Sequence, residues 1–250
     1  MDSRIKSDKF SLQRYKKILQ RAKTLGYKFL KLSDYKAYVD RHSRLLFMRH
    51  DVDISPMNAL RMAAVEQSLG IKATYYIRVH SIFYNPAAPP FFDALKEILD
   101  MGNEIGVHYD CTFFEERNMD IADGIREEAK ILESIFGVKI KNIAQHKPTM
   151  TGLFTALPKE YISAYDKELM RKCAYVSESG FKWWGETLSQ AIGKYPKIYL
   201  LTHPDTWVHA NLAMAESYAK TLKEIQKLAG CYVSDFTKST NHYLRRRKAK

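Results

Sequence analysis

Residues 45–53 read LLFMRHDVD: four apolar residues, three ionisable ones, then a valine between two aspartates. An unbroken apolar run that ends in charge is the pattern of a strand buried on both faces whose last residues emerge at an open end. Asp51 and Asp53 lie two positions apart, so an extended chain sets both carboxylates on one side. Two carboxylates that close repel each other unless a cation or a shared proton sits between them. They are not needed as a helix cap. Ser55 and Pro56 already supply an N-cap and a first-turn proline for the helix that opens there and that Gly70 ends.

The same unit recurs outward from this stretch. Upstream, Tyr15, Ile18, Ala22 and Leu25 share one face of a helix expected over 11–25, capped by Ser11 and stopped by Gly26. Downstream, strands are expected at 72–80 (KATYYIRVH), 104–110 (EIGVHYD), 140–146 (IKNIAQH), 173–177 and 197–202 (KIYLLT). Helices are expected after Pro89-Pro90, over 121–136, and near 211–227. Short apolar strands alternating with helices are the signature of parallel βαβ units. The expected fold is α/β: a distorted or incomplete (β/α) barrel of about six to seven parallel strands. An open doubly wound sheet is the other topology with this rhythm. No linker or low-complexity run divides the chain, so residues 1–250 read as a single domain, with 1–40 a helical extension and 245–250 a basic tail.

Charge narrows the function classes. The formal net charge is +12, but residues 1–31 carry +8 and the tail 245–250 (RRRKAK) carries +5, which leaves the body at −1. This reads as solvated ends rather than a specific nucleic-acid surface, with weak contact to an anionic membrane surface as the remaining role for those ends. No apolar run reaches the ~18 residues of a membrane span, and none follows the charged start as in a signal peptide. The expected location is cytoplasmic. Cys111, Cys173 and Cys231 are three in number and widely spaced, which fits neither a disulfide framework nor a thiolate zinc site.

The polar residues gather at the expected strand ends: Asp51 and Asp53, His80, His108 and Asp110, His146, then His203 and Asp205. Parallel strands open their C-terminal ends on one face, where active sites are built, so residues spread over 150 positions meet there. No G-x-S-x-G elbow, P-loop or G-x-G-x-x-G follows a strand. What remains is a carboxylate and imidazole cluster without thiolates, suited to zinc or a related divalent metal with an open position for water. His80, with His42, His209 and His242, reads as structural or surface. Trp183, Trp184 and Trp207, with Glu178, are the candidates for a sugar-binding wall.

These motifs resemble those of the polysaccharide deacetylases, the NodB-like carbohydrate esterases. The resemblance rests on Arg49 to Asp53 (RHDVD), Gly102 to Asp110 (GNEIGVHYD), His146-Lys147-Pro148, Tyr175 to Gly180 (YVSESG) with Trp183, and Thr202 to Trp207 (THPDTW), in that family's order. It is closest to the intracellular His-Asp-Val-Asp branch linked with surface-polysaccharide biosynthesis. The resemblance implies a metal-dependent deacetylase that hydrolyses the acetamide of an N-acetylated sugar, with Asp51 as general base, Asp53 and His108 as metal ligands, and His203 as general acid. The family usually carries a second histidine four residues after the first, and Thr112 stands there instead. His146 is then the expected third ligand. A catalytically inactive carbohydrate-binding relative that keeps the cleft is the alternative.

Overall fold

The computed structural model describes residues 10–41 and 43–248. Residues 1–9, His42 and residues 249–250, with the side chains of His242 and of 244–248, lie outside the described residues. So do the expectations that fall on them: the charged start, surface histidines 42 and 242, and the last side chains of the basic tail.

Among the described residues nine strands form one sheet: β1 (Lys28–Leu30), β2 (Leu45–Val52), β3 (Thr74–Ile77), β4 (Glu104–Tyr109), β5 (Asn142–Gln145), β6 (Ile162–Ser163), β7 (Ala174–Ser179), β8 (Lys182–Trp183) and β9 (Lys197–Thr202). Around them run α1 (Leu12–Thr24), α2 (Tyr35–Tyr38), α3 (Pro56–Gln67), α4 (Pro89–Asp100), α5 (Cys111–Glu115), α6 (Ile121–Phe136), α7 (Pro148–Thr151), α8 (Lys167–Lys172), α9 (Leu188–Ala191), α10 (Pro204–Val208) and α11 (Met214–Lys248). The strand order is β6-β5-β4-β3-β2-β9-β7-β8. Every pairing is parallel except that of β8 with β7.

β2 is the axis of the sheet. Along one side it pairs with β9, from Leu45 opposite Lys197 to His50 opposite Thr202. Its other side is shared. β1 takes Leu45 to Phe47, and β3 takes Arg49 to Val52.

Alternate residues of β2 enter two different cores, as the period of two in a strand requires. Leu46, Met48 and Val52 join the outer core beneath α1, α3 and α4. Leu45 and Phe47 join an inner core with Tyr76, Ala144, Tyr199, and Leu32, Tyr35 and Val39 from the segment around α2. A sheet with helices outside and its own packed interior is a curled, incomplete barrel, not the doubly wound alternative. The wall stays open between β6 and the β7–β8 hairpin, and Tyr199 of β9 donates its hydroxyl to the Ala164 carbonyl just past β6 at 2.9 Å.

The local signals act as their chemistry requires. Ser55 Oγ accepts from the Asn58 amide with Pro56 in the first turn of α3, and Ser11 Oγ accepts from Arg14 ahead of α1. Gly106 lets β4 approach β5: a Cβ there would lie 2.6 Å from both the Asn142 carbonyl oxygen and the Tyr76 ring. Three short strands fall outside the expected set. β1 and β6 have three and two residues, too few to show a period. β8 follows a two-residue turn whose Gly180 and Phe181 both take positive φ, 60° and 62°. A hairpin turn of that form ordinarily announces itself with Asn-Gly, which this one lacks. The last helix also runs on to Lys248 rather than ending near Lys227.

Candidate functional site

The parity that divides β2 between two cores puts Arg49, Asp51 and Asp53 on the inner face, where the apolar filling gives way to charge. Arg49 is fully buried. Its guanidinium grips Asp51 with two bonds, Nε to Oδ1 and Nη2 to Oδ2, both 2.8 Å. Nη2 also donates to the Tyr165 hydroxyl at 2.9 Å, and the guanidinium faces the Tyr165 and Tyr76 rings. A planar two-pronged contact fixes the carboxylate in orientation as well as charge. Burial alone would raise the Asp51 pKa, but Arg49, with His108 and His203, holds it below the usual carboxylate range.

One layer further out, Asp53 Oδ1 lies 3.3 Å from His108 Nε2 and 3.2 Å from His146 Nδ1, and those two nitrogens are 3.2 Å apart. His108 comes from β4, and His146 directly follows β5. His108 Nδ1 sits 3.0 Å from the Ala144 carbonyl, to which its N–H donates, so the Nε2 lone pair points into the cluster. Asp53 Oδ1 is buried and makes no hydrogen bond. The three ligand atoms lie within 4.8 Å of one another.

This donor set fits a divalent ion. Donors held ~2.0 Å from a tetrahedral centre are roughly 3.3 Å from each other, which these three separations match. Burial pushes the Asp53 pKa upward, but the two imidazoles and His203 outweigh it and hold the carboxyl well below its ordinary range. His146 is lowered, chiefly by burial, which favours the neutral ligating form.

His203, immediately after β9, approaches from another side, its Nε2 3.8 Å from Asp53 Oδ2. Its Nδ1 is 2.9 Å from the Glu178 carbonyl oxygen. Burial would lower its pKa, yet the Glu178 carboxylate, Asp53 and Asp51 together raise it to about 10. Asp51 Oδ2 also flanks the cluster, 3.5 Å from His108 Nε2. A carboxylate held ionised and an imidazole held protonated thus stand beside one donor triad.

The other expected site residues are placed differently. Glu178 is fully buried, and its Oε1 accepts from the His203 backbone amide at 2.6 Å and from Trp207 Nε1 at 3.2 Å. It supports His203 from behind. Trp207 is 1% exposed and packs against Tyr15 and Phe10. Neither side chain offers a surface to a sugar, which corrects the expectation of direct substrate contact for these two. Trp183 is half-buried against Phe10 and Trp207. Trp184 is 63% exposed, with Lys182 over its ring. Thr112 lies in α5 with its amide on Asp110 Oδ1, outside the triad. His80 stacks on Phe113, and His209 is buried near Glu224. The Cys111 thiol is pushed up to about 11 by burial and by Glu115 and Asp110, the reverse of an activated nucleophile.

Two features escaped the sequence. One is the Arg49 clamp. The other is a buried network behind the site: His50, out of phase with Asp51, places Nε2 2.7 Å from Glu66 Oε1 and Nδ1 2.7 Å from Thr202 Oγ1. Tyr15 and Tyr75 donate to the same Glu66 carboxylate. The helical spacing of Ala59, Ala63 and Glu66 was the signal that Glu66 faces inward.

No protein-family model matches the chain, and no curated protein sequence matches it. Solved structures do. One is a family 4 carbohydrate esterase from Bacillus anthracis, 17% identical over 86% of both chains, TM-score 0.43. Another is a polysaccharide deacetylase from Bacillus cereus, 16% identical over 85% of this chain and 62% of that one, TM-score 0.47. A third is a CE4 family pseudoenzyme from Bacillus anthracis, 13% identical over 75% of this chain and 62% of that one, TM-score 0.41. The chain thus spans less than two thirds of the length of the last two.

Proposed function

We propose that this chain is a metal-dependent deacetylase of the polysaccharide deacetylase family, hydrolysing the acetamide of an N-acetylated sugar in surface-polysaccharide biosynthesis. The observation that carries the reading is the meeting of Asp53, His108 and His146 with Asp51 and His203 at their flanks. Asp53 Oδ1, His108 Nε2 and His146 Nδ1 would hold a divalent ion, zinc being the one that one carboxylate and two imidazoles suit. Such an ion, when bound, supplies Lewis acidity to the acetamide carbonyl and acidifies a nearby water.

The chain's own groups do the rest. Asp51 is oriented by Arg49 and takes the proton of the attacking water. A carboxylate held at low pKa is a weak base, matched to a water that is already acidified. His203 is fixed through Nδ1 and delivers a proton from Nε2 to the departing sugar amine, which leaves as a neutral molecule instead of an anion. We assign Trp184, the exposed indole of the three, to contact with a sugar ring.

The test is metal content and acetate release measured together. The wild-type protein is expected to bind close to one divalent ion and release acetate from N-acetylated sugars. His146→Ala should lose metal and activity as badly as His108→Ala, and Thr112→Ala should keep the metal. Metal unchanged in His146→Ala would remove that residue from the ligand set. Sugar binding without acetate release from the metal-loaded protein would overturn the enzyme in favour of the carbohydrate-binding relative.

A further inference from the structure

Residues 229–241 of α11 are exposed at every position. The inner half of the same helix is docked by polar contacts. Ser217 and Thr221 are fully buried: Ser217 donates to the Asp205 carbonyl, and Asn58 donates to Thr221 Oγ1. Arg61 pairs with Glu224 at 2.9 Å. Beyond them Ile225, Leu228 and Tyr232 face Pro90 and Phe91 across an apolar groove of about 290 Å³. Asn58 and Phe91 lie in the first turns of α3 and α4, which follow parallel strands and so begin at the strands' C-terminal edge, the edge that carries Asp51 and Asp53. The helix therefore leaves the body from the rim of the site.

What it carries outward is unusual for a free helix. Tyr232, Phe236 and Tyr243 are 49%, 75% and 61% exposed. With Ile225 and Ala229 they recur at steps of three, four or seven, one stripe along the helix. Residues 229–250 hold six Lys/Arg against one acidic residue, Asp235, and four of the six are consecutive at 245–248. An aromatic stripe continued into a basic end is the chemistry of a helix lying in the headgroup region of an anionic bilayer. No helix among the described residues is long and apolar enough to cross one. A second copy fits the stripe less well, because pairing would bring two strongly positive segments together and pack aromatic residues where coiled coils want aliphatic ones. A polyanion alone would satisfy the basic end and leave the aromatic stripe in water.

We propose that residues 229–248 form an interfacial anchor for anionic phospholipid, with Phe236 and Tyr243 among the headgroups and the basic run on lipid phosphates. The anchor turns the rim of the site toward the membrane surface. This goes beyond the catalytic reading and does not depend on it.

The full-length protein is sedimented with vesicles in which about a quarter of the lipid is phosphatidylglycerol, and with pure phosphatidylcholine vesicles. Binding is expected to the first and not to the second, and to weaken with salt. Phe236→Ser should weaken it roughly tenfold or more, and Arg245→Gln, Arg246→Gln and Arg247→Gln together on the order of a hundredfold. Neither set should lower the melting temperature. Anionic vesicles that leave the protein in solution, or a triple variant that binds like wild type, overturn the proposal. So does a dimer in sedimentation velocity that Phe236→Ser dissolves without vesicle binding, which assigns the stripe to a second copy. Tail-dependent binding to an oligonucleotide without vesicle binding overturns it in favour of nucleic acid. Acetate release is not part of the readout, so failure here and failure of the catalytic proposal are separate results.

Discussion

In the proposed reaction, Arg49 and Glu178 divide the acid–base work by charge. Arg49 holds Asp51 ionised, and Glu178 holds His203 protonated. Asp51→Asn removes the proton acceptor but none of the three converging ligand atoms, so turnover should vanish while metal content stays. Loss of metal in that variant would make Asp51 a ligand. His203 gives a second outcome with a definite sign. A pKa raised to about 10 keeps the acid form present through neutral pH and loses it as pH climbs through that value. Glu178→Gln keeps an oxygen for the His203 amide but removes the charge that does the raising. Its alkaline limb in a kcat–pH profile should move toward neutrality, with a rate deficit that grows above about pH 8. A rate lowered equally at all pH values would reduce Glu178 to a purely structural part.

At the scale of elements, two contacts can be probed without touching the chemistry. Gly106 has no room for a methyl group between the Asn142 carbonyl and the Tyr76 ring, so Gly106→Ala forces β4 from β5 or twists Tyr76. The expected cost is about 1–3 kcal/mol, read from denaturant unfolding. The junction of α3, α10 and α11 offers the other. Asp205 receives a hydrogen bond from Asn58 at 2.7 Å, but its Oδ2 is buried without a partner, and burial raises its pKa to about 7. The folded chain therefore keeps this proton where the unfolded chain has lost it, and stability falls as pH rises from about 4 toward 7. Asp205→Asn removes that slope. Its melting temperature should exceed wild type by a margin that is greatest at about pH 7 and above and closes toward about pH 4. Parallel curves at all pH values would contradict the assignment.

For the whole molecule, charge and chemistry are segregated. The body carries the site at near-zero net charge, and the excess lies at the two ends of the chain. Deleting residues 245–250 should leave the melting temperature and acetate release from soluble sugars unchanged, since the segment holds no apolar residue larger than alanine. A substantially lower melting temperature in the truncated protein would place the tail in the fold.

The rhythm of strands, the cap at Ser55, and the gathering of Asp51, Asp53, His108, His146 and His203 at strand ends were legible in one dimension, because hydrophobic period and chain direction are local properties. Direction alone brings those residues to one edge in a parallel sheet. Which side each faces was not legible. β2 is buried along its whole length, so alternation carries no polar signal, and only the curl of the sheet sends Arg49, Asp51 and Asp53 inward and His50 outward. Glu178, one step past inward Ser177, turned beneath His203 for the same reason, and Trp207 turned into the core with it. The sequence determined which groups meet. The tertiary structure decided which of them touch the site and which hold it from behind, since a period of two has no preferred face until the sheet closes around an interior.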